Sequence, residues 1–464
     1  MAENNNSAKG FYRLSWLQRI GFGSGDLAQN LIFQTTCMYL LFFYTDIYGL
    51  DAVDVSVMFT VGNIANVIWD PIVGALIDKN NPRLGKYRAY LVFVGIPLSG
   101  FAILCFWNGF APSLLYAYIT YIAMTLLYTF INVPYGALNS SLTRDTDEIT
   151  ILTSVRMFMA NCGGLAVGSG LPLLIAYFTD DKVEGLPKDP VAWFTTMTIY
   201  ALVGLALLIF CFTQCKEKVV MSAEESANVK ISDLWMEFLH NRPLRVIAFF
   251  FVTAFAMMSI GNAAGAYFMN SNLHAAPEQL SIFMGLGSAP SFIFMPLVPM
   301  IKRAVGKKNM FYIFLGIAIV GMAFLYIVAK MSNPSMTLVY IAQFVKSTGV
   351  IVATGYMWAL VPEVISYGEY TSGKRIAGIV NALTGIFFKA GMTLGSVVAP
   401  AVLAYVAYNP KSVEQTPLAE EGILWLVCVI PAVLLVLAMF IISRYELTDE
   451  RIDEINRAIE QRNA

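Results

Sequence analysis

Apolar stretches alternate with short polar ones along almost the whole chain. Twelve of them are long enough for the roughly 20 helical residues that cross a bilayer. They lie at about 20–44, 53–77, 89–108, 113–139, 150–178, 193–214, 244–270, 279–301, 310–331, 336–365, 376–407 and 423–443. A polar connector separates the first six from the last six. The pattern predicts an all-α membrane protein with twelve transmembrane helices.

The two halves of the chain echo each other at matching places. VGALIDKNNPRLGKYRAYL after the second stretch corresponds to MPLVPMIKRAVGKKNMFYI after the eighth, and each is a basic loop containing glycine. Parallel repeats of this kind are typical of the major facilitator fold of two six-helix bundles. We therefore expect a first bundle at 1–214, a cytoplasmic linker at 215–243, a second bundle at 244–443 and a cytoplasmic tail at 444–464.

Composition narrows the function classes. The chain is 57% hydrophobic and 13% charged, with a mean hydropathy of +0.64, whereas a soluble domain is about a quarter charged. Thirty basic and 31 acidic residues, without a basic run, argue against a nucleic-acid partner. Six cysteines and two histidines without metal-ligand spacing argue against an enzyme, a metal centre or a cofactor. Lysine and arginine concentrate in the termini and even-to-odd loops, which places both termini in the cytoplasm.

The second apolar stretch carries a single carboxylate inside the membrane. Asn63, Asn66 and Asp70 share one helical face, at i, i+3 and i+7. An ionisable side chain in lipid is costly unless it faces a polar interior, so Asp70 is a candidate functional residue. The basic loop that follows has possible gating residues, and plain positive-inside topology is the alternative interpretation. These residues are Asp78, Arg83, Lys86 and Arg88.

The first stretch carries a polar stripe of Asp26, Asn30 and Gln34 at i, i+4 and i+8. Such side chains need water or a ligand beside them in a membrane. Carboxylates and amides suit sugar hydroxyls, which both donate and accept hydrogen bonds. The alternative is helix-to-helix packing through the neighbouring glycines, with Asp26 paired to a nearby base.

Other helices supply further polar candidates. Tyr128 and Asn132 share a face of the fourth stretch, and Arg156 lies early in the fifth. The guanidinium fork of arginine can pair with a carboxylate or bind two vicinal hydroxyls. Lys389 lies inside the apolar run GIFFKAGMTLG of the eleventh stretch. Its pairing with Asp70 would give a charge switch sensitive to cation binding, and structural attachment between the halves is the alternative.

Four motifs in order carry a family resemblance. They are GSGDLAQN, WDPIVGALIDKNNPRLGKYRAYL, INVPYGALNSSLTRDTDEIT, and VPEVISYGEYTSGKR followed by FFKAGMTLG. Together they resemble the glycoside-pentoside-hexuronide:cation symporters, which include melibiose permease. The resemblance implies a glycoside substrate, a coupling cation and a multi-pass protein of the bacterial inner membrane. We expect a monomer.

The resemblance also implies roles for individual residues. The family's sugar-contacting aspartate in helix I, its cation-coupling carboxylate in helix II, its helix V arginine and its helix XI lysine match Asp26, Asp70, Arg156 and Lys389. Two family carboxylates are amides here, Asn66 in helix II and Asn132 in helix IV. A galactoside preference is therefore not inherited, and a hexuronide substrate stays possible.

The change at Asn66 bears on the coupling ion. Sodium prefers several hard oxygen ligands, and one carboxylate plus an amide makes a poorer site than two carboxylates. A lone buried aspartate is suited to carry a proton, so we favour H⁺ coupling. Na⁺ bound by Asp70 and Asn66 is the alternative. An uncoupled facilitator or a lipid carrier on the same fold also stays open.

Overall fold

The computed structural model describes residues 13–80, 82–143, 146–179, 185–217, 238–372, 377–410, 412 and 414–463. The secondary structure of this part of the chain is helical, without a β-strand. The helices of the first half are α1 Trp16–Thr35, α2 Ala52–Lys79, α3 Ala89–Phe93, α4 Gly95–Cys105, α5 Leu114–Leu142, α6 Thr146–Leu165, α7 Leu171–Phe178 and α8 Pro190–Gln214. Those of the second half are α9 Arg242–Tyr267, α10 Pro277–Phe294, α11 Val298–Val305, α12 Lys307–Ala329, α13 Met336–Met357, α14 Leu360–Ser372, α15 Ala377–Tyr405, α16 Pro417–Leu424, α17 Ile430–Ser443 and α18 Asp449–Asn463.

Ten helical stretches among the described residues are long and apolar enough to cross a membrane. They are Ala52–Gly74, Leu114–Asn139, Ile151–Phe178, Pro190–Gln214, Arg242–Asn272, Pro277–Val305, Lys307–Ala329, Met336–Thr371, Leu383–Tyr405 and Pro417–Ser443. The prediction of an all-α membrane protein is thus confirmed. Of the twelve predicted transmembrane helices, ten are confirmed by length and apolarity. The first predicted stretch is helical but carries the polar stripe of α1, and the third is the shorter apolar helix Ala89–Cys105.

Local capping explains where several helices begin. The Ser15 hydroxyl accepts a hydrogen bond from the Gln18 amide, and the Gln18 side chain accepts one from the Ser15 amide. Asp189 caps α8 through the Val191 amide, and Asn241 caps α9 through the Leu244 amide. Each polar side chain satisfies an amide that the first helical turn leaves without a partner.

The contacts divide the chain into two compact units. The first is Met1–Ser226 with Ala275–Ser281, and the second is Ala227–His274 with Ile282–Ala464. Most of the predicted linker, 218–237, lies outside the described residues. The predicted domain limits therefore stay a prediction.

Within the first unit, glycines allow α1 and α6 to approach closely. A β-carbon on Gly23 would lie 2.9 Å from the Val155 side chain, and one on Gly163 would lie 2.7 Å from the β-carbon of Asn30. Larger residues would push the two helices apart. The small residues of α1 thus place its polar stripe directly against α6.

In the second unit, α9 forms the centre and the C-terminal tail is docked on the bundle. Nζ of Lys307 contacts the Glu363 carboxylate at 2.7 Å and Asp449 at 3.1 Å, and the Tyr445 hydroxyl donates to Glu363 at 2.8 Å. Ile455 of α18 is only 1% exposed. The tail therefore folds as an amphipathic helix against its own unit.

Candidate substrate and cation sites

One charge pair of the first unit, Asp26 with Arg156, joins α1 to α6. Nε of Arg156 donates to Oδ2 of Asp26, and Nη2 lies 3.4 Å from Oδ1, while both side chains are largely buried. Because the apolar faces of these helices exclude water, each charge offsets the cost of burying the other. The pairing of Asp26 with a nearby base, which the sequence offered as the alternative interpretation, is present, and the base is Arg156.

An aromatic ring from α5 completes this pair. The Arg156 guanidinium lies over the Tyr135 ring, 4.8 Å from its centroid. The fully buried Tyr135 donates its hydroxyl to the Phe22 carbonyl at 2.6 Å and stacks on the Phe22 ring. A cation held by a carboxylate on one side and a ring face on the other is restricted in orientation. Three helices thus position one guanidinium.

The predicted polar stripe follows α1 away from this pair. Nδ2 of Asn30 donates to the Asp26 carbonyl at 3.0 Å, and Nε2 of Gln34 donates to Oδ1 of Asn30 at 3.3 Å. Across from it on α5, the Asn132 amide donates to the Tyr128 hydroxyl at 3.3 Å. Tyr128 also stacks on Phe33 of α1, with centroids 5.5 Å apart. The structure therefore brings the substrate candidates of the first unit onto facing helices.

The candidate cation residue Asp70 lies on α2, the helix that packs against α5. The adjacent Trp69 donates Nε1 to the Leu126 carbonyl at 3.1 Å, which fixes the rotation of α2 beside α5. Oδ1 of Asp70 is sealed from solvent. One turn earlier, Oδ1 of Asn66 accepts the Thr129 hydroxyl at 3.4 Å. Asn66, where the resemblance implies the first of two helix II carboxylates, is thus already engaged by a hydroxyl.

The opposite face of α2 is apolar and exposed. Ile64, Val67 and Ile68 are each more than half exposed, as expected for side chains that meet lipid. This arrangement agrees with the sequence pattern, which places polar residues on one face of the helix and apolar residues on the others.

Lys389, the candidate from the eleventh predicted stretch, lies on α15 in the second unit. Its side chain is half-buried. No cluster of three or more histidine, cysteine, aspartate or glutamate side chains that would suit a metal ion occurs among the described residues.

The predicted gating loop is held by a carboxylate that sequence reasoning missed. The Glu217 side chain accepts the backbone amides of Lys86, Tyr87 and Arg88 at 2.8, 2.7 and 2.8 Å. Gly85 makes this possible, because it has φ +119° and a β-carbon there would lie 2.7 Å from the Arg88 side chain. Three amides before α3 thus cradle one carboxylate.

The other predicted gating residues have different surroundings. Arg88 donates Nε to the Leu84 carbonyl at 2.6 Å, and Arg83 is exposed. Asp78 falls within α2, but its side chain lies outside the described residues. Glu148, at the start of α6, binds Arg19 through two hydrogen bonds of 2.7 and 2.8 Å. An ion pair therefore attaches the start of α1 to the start of α6.

The repeat between the halves contained a signal for Glu217. Glu217 follows the end of α8 by three residues, and Glu446 follows the end of α17 by three. Gly306 with φ +81° repeats Gly85 before the corresponding basic loop. Comparison of the halves at helix ends, and not only at loops, would have indicated this position.

Known proteins now identify the family. The sequence profile of the MFS/sugar transport protein family matches residues 21–449. The chain belongs to this family. Its members are transporters and not enzymes, which confirms the non-enzyme prediction.

Two relatives of this family member match it over nearly their full lengths. The uncharacterized symporter YnaJ of Bacillus subtilis (strain 168) is 41% identical over 97% of this chain and 96% of its own. YagG of Escherichia coli (strain K12), named provisionally as a glycoside/cation symporter, is 30% identical over 96% and 95%. The resemblance to the cation symporters is confirmed.

Solved structures agree with the fold of this family. The nucleoside transporter NupG, in its D323A mutant form, superposes with a TM-score of 0.65 at 13% identity. The match covers 91% of this chain and 99% of NupG. At that identity the likeness describes the fold alone.

Proposed function

We propose that this protein takes up a glycoside together with a proton by alternating access, in a bacterial inner membrane with both termini in the cytoplasm. The observation that carries the proposal is the buried pair of Asp26 and Arg156, framed by Tyr135 inside apolar helices. A buried charge pair adds little to stability compared with apolar packing. Its presence between apolar helices of a transporter therefore supports a role in binding.

The chemistry around this pair suits a sugar. The Asp26 carboxylate accepts hydrogen bonds and the Arg156 fork donates them, so together they complement vicinal hydroxyls. Asn30, Tyr128 and Asn132 provide further groups that both donate and accept. YagG, the relative with a glycoside in its name, supports the same substrate class. Because Arg156 can also pair with a carboxylate, a hexuronide is among the expected substrates.

Asp70 is the proposed carrier of the coupling proton. Position 66 carries an amide, whose oxygen accepts the Thr129 hydroxyl. Asp70 is therefore the residue that supplies a carboxylate at this part of α2. Sodium would need several additional hard oxygens, whereas one carboxylate suffices for a proton. Lys389 is proposed to compete with the cation as the counter-charge. Sodium bound by Asp70 and Asn66 is the alternative.

The first test identifies the ligand. The purified protein is heated with glycosides, pentosides and hexuronides, with and without sodium, over a range of pH. Stabilisation by one sugar, independent of sodium and dependent on pH, is the expected result. Dependence on sodium would overturn proton coupling, and no response to any sugar would overturn the glycoside assignment.

The second test isolates the coupling role. Vesicles at a potential of 100 mV supply about 2.3 kcal/mol per transported charge, which corresponds to about fiftyfold accumulation of a neutral solute. Asp70→Asn should abolish this accumulation while exchange of labelled for unlabelled sugar continues. Asp54→Asn, at an exposed carboxylate in the first turn of the same helix, is the matched control. Uphill uptake by Asp70→Asn would refute the assignment.

A further inference from the structure

A basic groove lies at one end of the second unit, between the start of α9 and the end of α17. It encloses about 380 Å³. Three arginines line it, Arg242, Arg245 and Arg444. All its lining residues belong to the second unit, and the proposed function uses none of them.

Positive charge exceeds negative charge in this groove. Nη1 of Arg242 contacts Glu446 at 2.8 Å in an exposed ion pair. Within the described part of the chain, no carboxylate pairs with Arg245 or Arg444. One carboxylate therefore faces three guanidinium groups. An additional anion would find uncompensated charge and two guanidinium forks.

The same groove continues into an apolar wall. Val246, Phe249, Phe440 and Ile441 line it, and all four belong to membrane-spanning stretches. Phe249 is 51% and Phe440 is 60% exposed, so both rings face outward. The Arg444 guanidinium lies 5.2 Å from the centroid of the Phe440 ring. The arginines thus lie directly beside the apolar side chains of the same groove.

We propose that this groove, Arg242–Phe249 with Phe440–Arg444, binds an anionic phospholipid. The headgroup phosphate contacts the arginines, and an acyl chain lies along Phe249 and Phe440. Guanidinium groups match phosphate oxygens two at a time, and basic pockets between membrane helices bind anionic headgroups. A soluble anion would use only the charged half of the groove. In the proposed orientation the lipid belongs to the cytoplasmic leaflet.

The experiment compares lipid retention in matched variants of the full chain. The protein is equilibrated in detergent with phosphatidylglycerol and phosphatidylcholine, and bound lipids are counted by native mass spectrometry. Arg245→Gln with Arg444→Gln should reduce the preference for phosphatidylglycerol by about tenfold or more, since each basic residue contributes on the order of a fivefold effect. Arg303→Gln with Arg457→Gln removes the same charge from exposed positions outside the groove and is the control.

A second measurement does not depend on substitutions. A photoreactive phosphatidylglycerol should crosslink the unaltered protein at 242–249 and 440–444, and excess inorganic phosphate should leave this labelling unchanged. Equal loss of preference in both double variants, or in neither, would overturn the proposal. Labelling spread over other helices, or displaced by free phosphate, would overturn it as well.

Discussion

Replacing Glu217 by alanine should release the loop before α3 without disturbing the rest of the first unit. The carboxylate is the shared acceptor of three consecutive amides, those of Lys86, Tyr87 and Arg88. In the alanine variant these amides must bind water or stay unpaired. The perturbation is therefore confined to one turn of backbone.

Its magnitude follows from the three contacts at 2.7–2.8 Å. A hydrogen bond to a charged group contributes about 1.5–3 kcal/mol when buried. Glu217 is only half-buried, and solvent screening reduces this to about 1 kcal/mol each. The alanine variant should thus lose about 3 kcal/mol of local stability, which is roughly a hundredfold rise in opening.

Amide hydrogen exchange of the segment 83–93 measures this opening directly, because protected amides exchange only from the open state. Glu217→Ala should raise the exchange rate there by about a hundredfold. Glu217→Gln keeps Oε1, which accepts the Tyr87 and Arg88 amides, but places an NH₂ group opposite the Lys86 amide. It should therefore give a smaller rise, largest at Lys86.

Glu446 provides the matched control, since it occupies the corresponding place after α17 and pairs with the exposed Arg242. Glu446→Ala should change stability by less than about 1 kcal/mol. Exchange of 83–93 within twofold of wild type in Glu217→Ala would refute the reasoning. Equal effects of the alanine and glutamine variants would show that shape, and not accepted hydrogen bonds, holds the loop.

Two further predictions concern charged groups at helix ends. Glu148→Gln removes the charge and one of the two hydrogen bonds to Arg19, at a side chain that is 3% exposed. The change should cost about 2–3 kcal/mol and lower the thermal midpoint of unfolding. An unchanged midpoint would contradict this. Burial raises the pKa of Asp449, but hydrogen bonds from Lys302 and Lys307 outweigh it and hold this pKa below its usual range. Tail docking should therefore persist above about pH 4 and weaken as pH falls through the lower folded value. The substitution Asp449→Asn should mimic this loss at pH 7, as faster proteolysis of the tail; equal resistance would argue against the contact.

The helices could be predicted because length and apolarity suffice for them. A run of about 20 apolar residues must satisfy its own backbone hydrogen bonds in lipid, and a helix does so without reference to any other part of the chain. The first stretch shows the limit of this reasoning. It is helical from Trp16 to Thr35, but its polar stripe makes it less apolar than a typical span.

The polar candidates and a pairing of Asp26 with a base could be inferred from the sequence, but the packing that produces the pairing could not. Charged and amide side chains at helical spacing stand out in an apolar sequence, so Asp26, Asp70 and Arg156 were found. Which residue meets which depends on helix packing. Gly23 and Gly163 bring α1 against α6, and only this approach joins Asp26 to Arg156.

The partners of Glu217 and Glu148 show what sequence alone missed. Both glutamates lie in polar segments where a charged residue is ordinary, so nothing in the local pattern marks them. Their roles come from partners 129 or more residues away, at Lys86–Arg88 and Arg19. A carboxylate binds whichever donors the fold brings near it.

The sequence by itself determined the class of protein, the helical segments, the family and the polar residues that chemistry requires in a membrane. These follow from the cost of burying polar groups in lipid, which acts on each segment separately. Tertiary structure alone decided that Tyr135 covers Arg156, that Thr129 engages Asn66 and that Glu217 caps the basic loop. Those contacts depend on the rotation and approach of whole helices, which the packing of many side chains sets together.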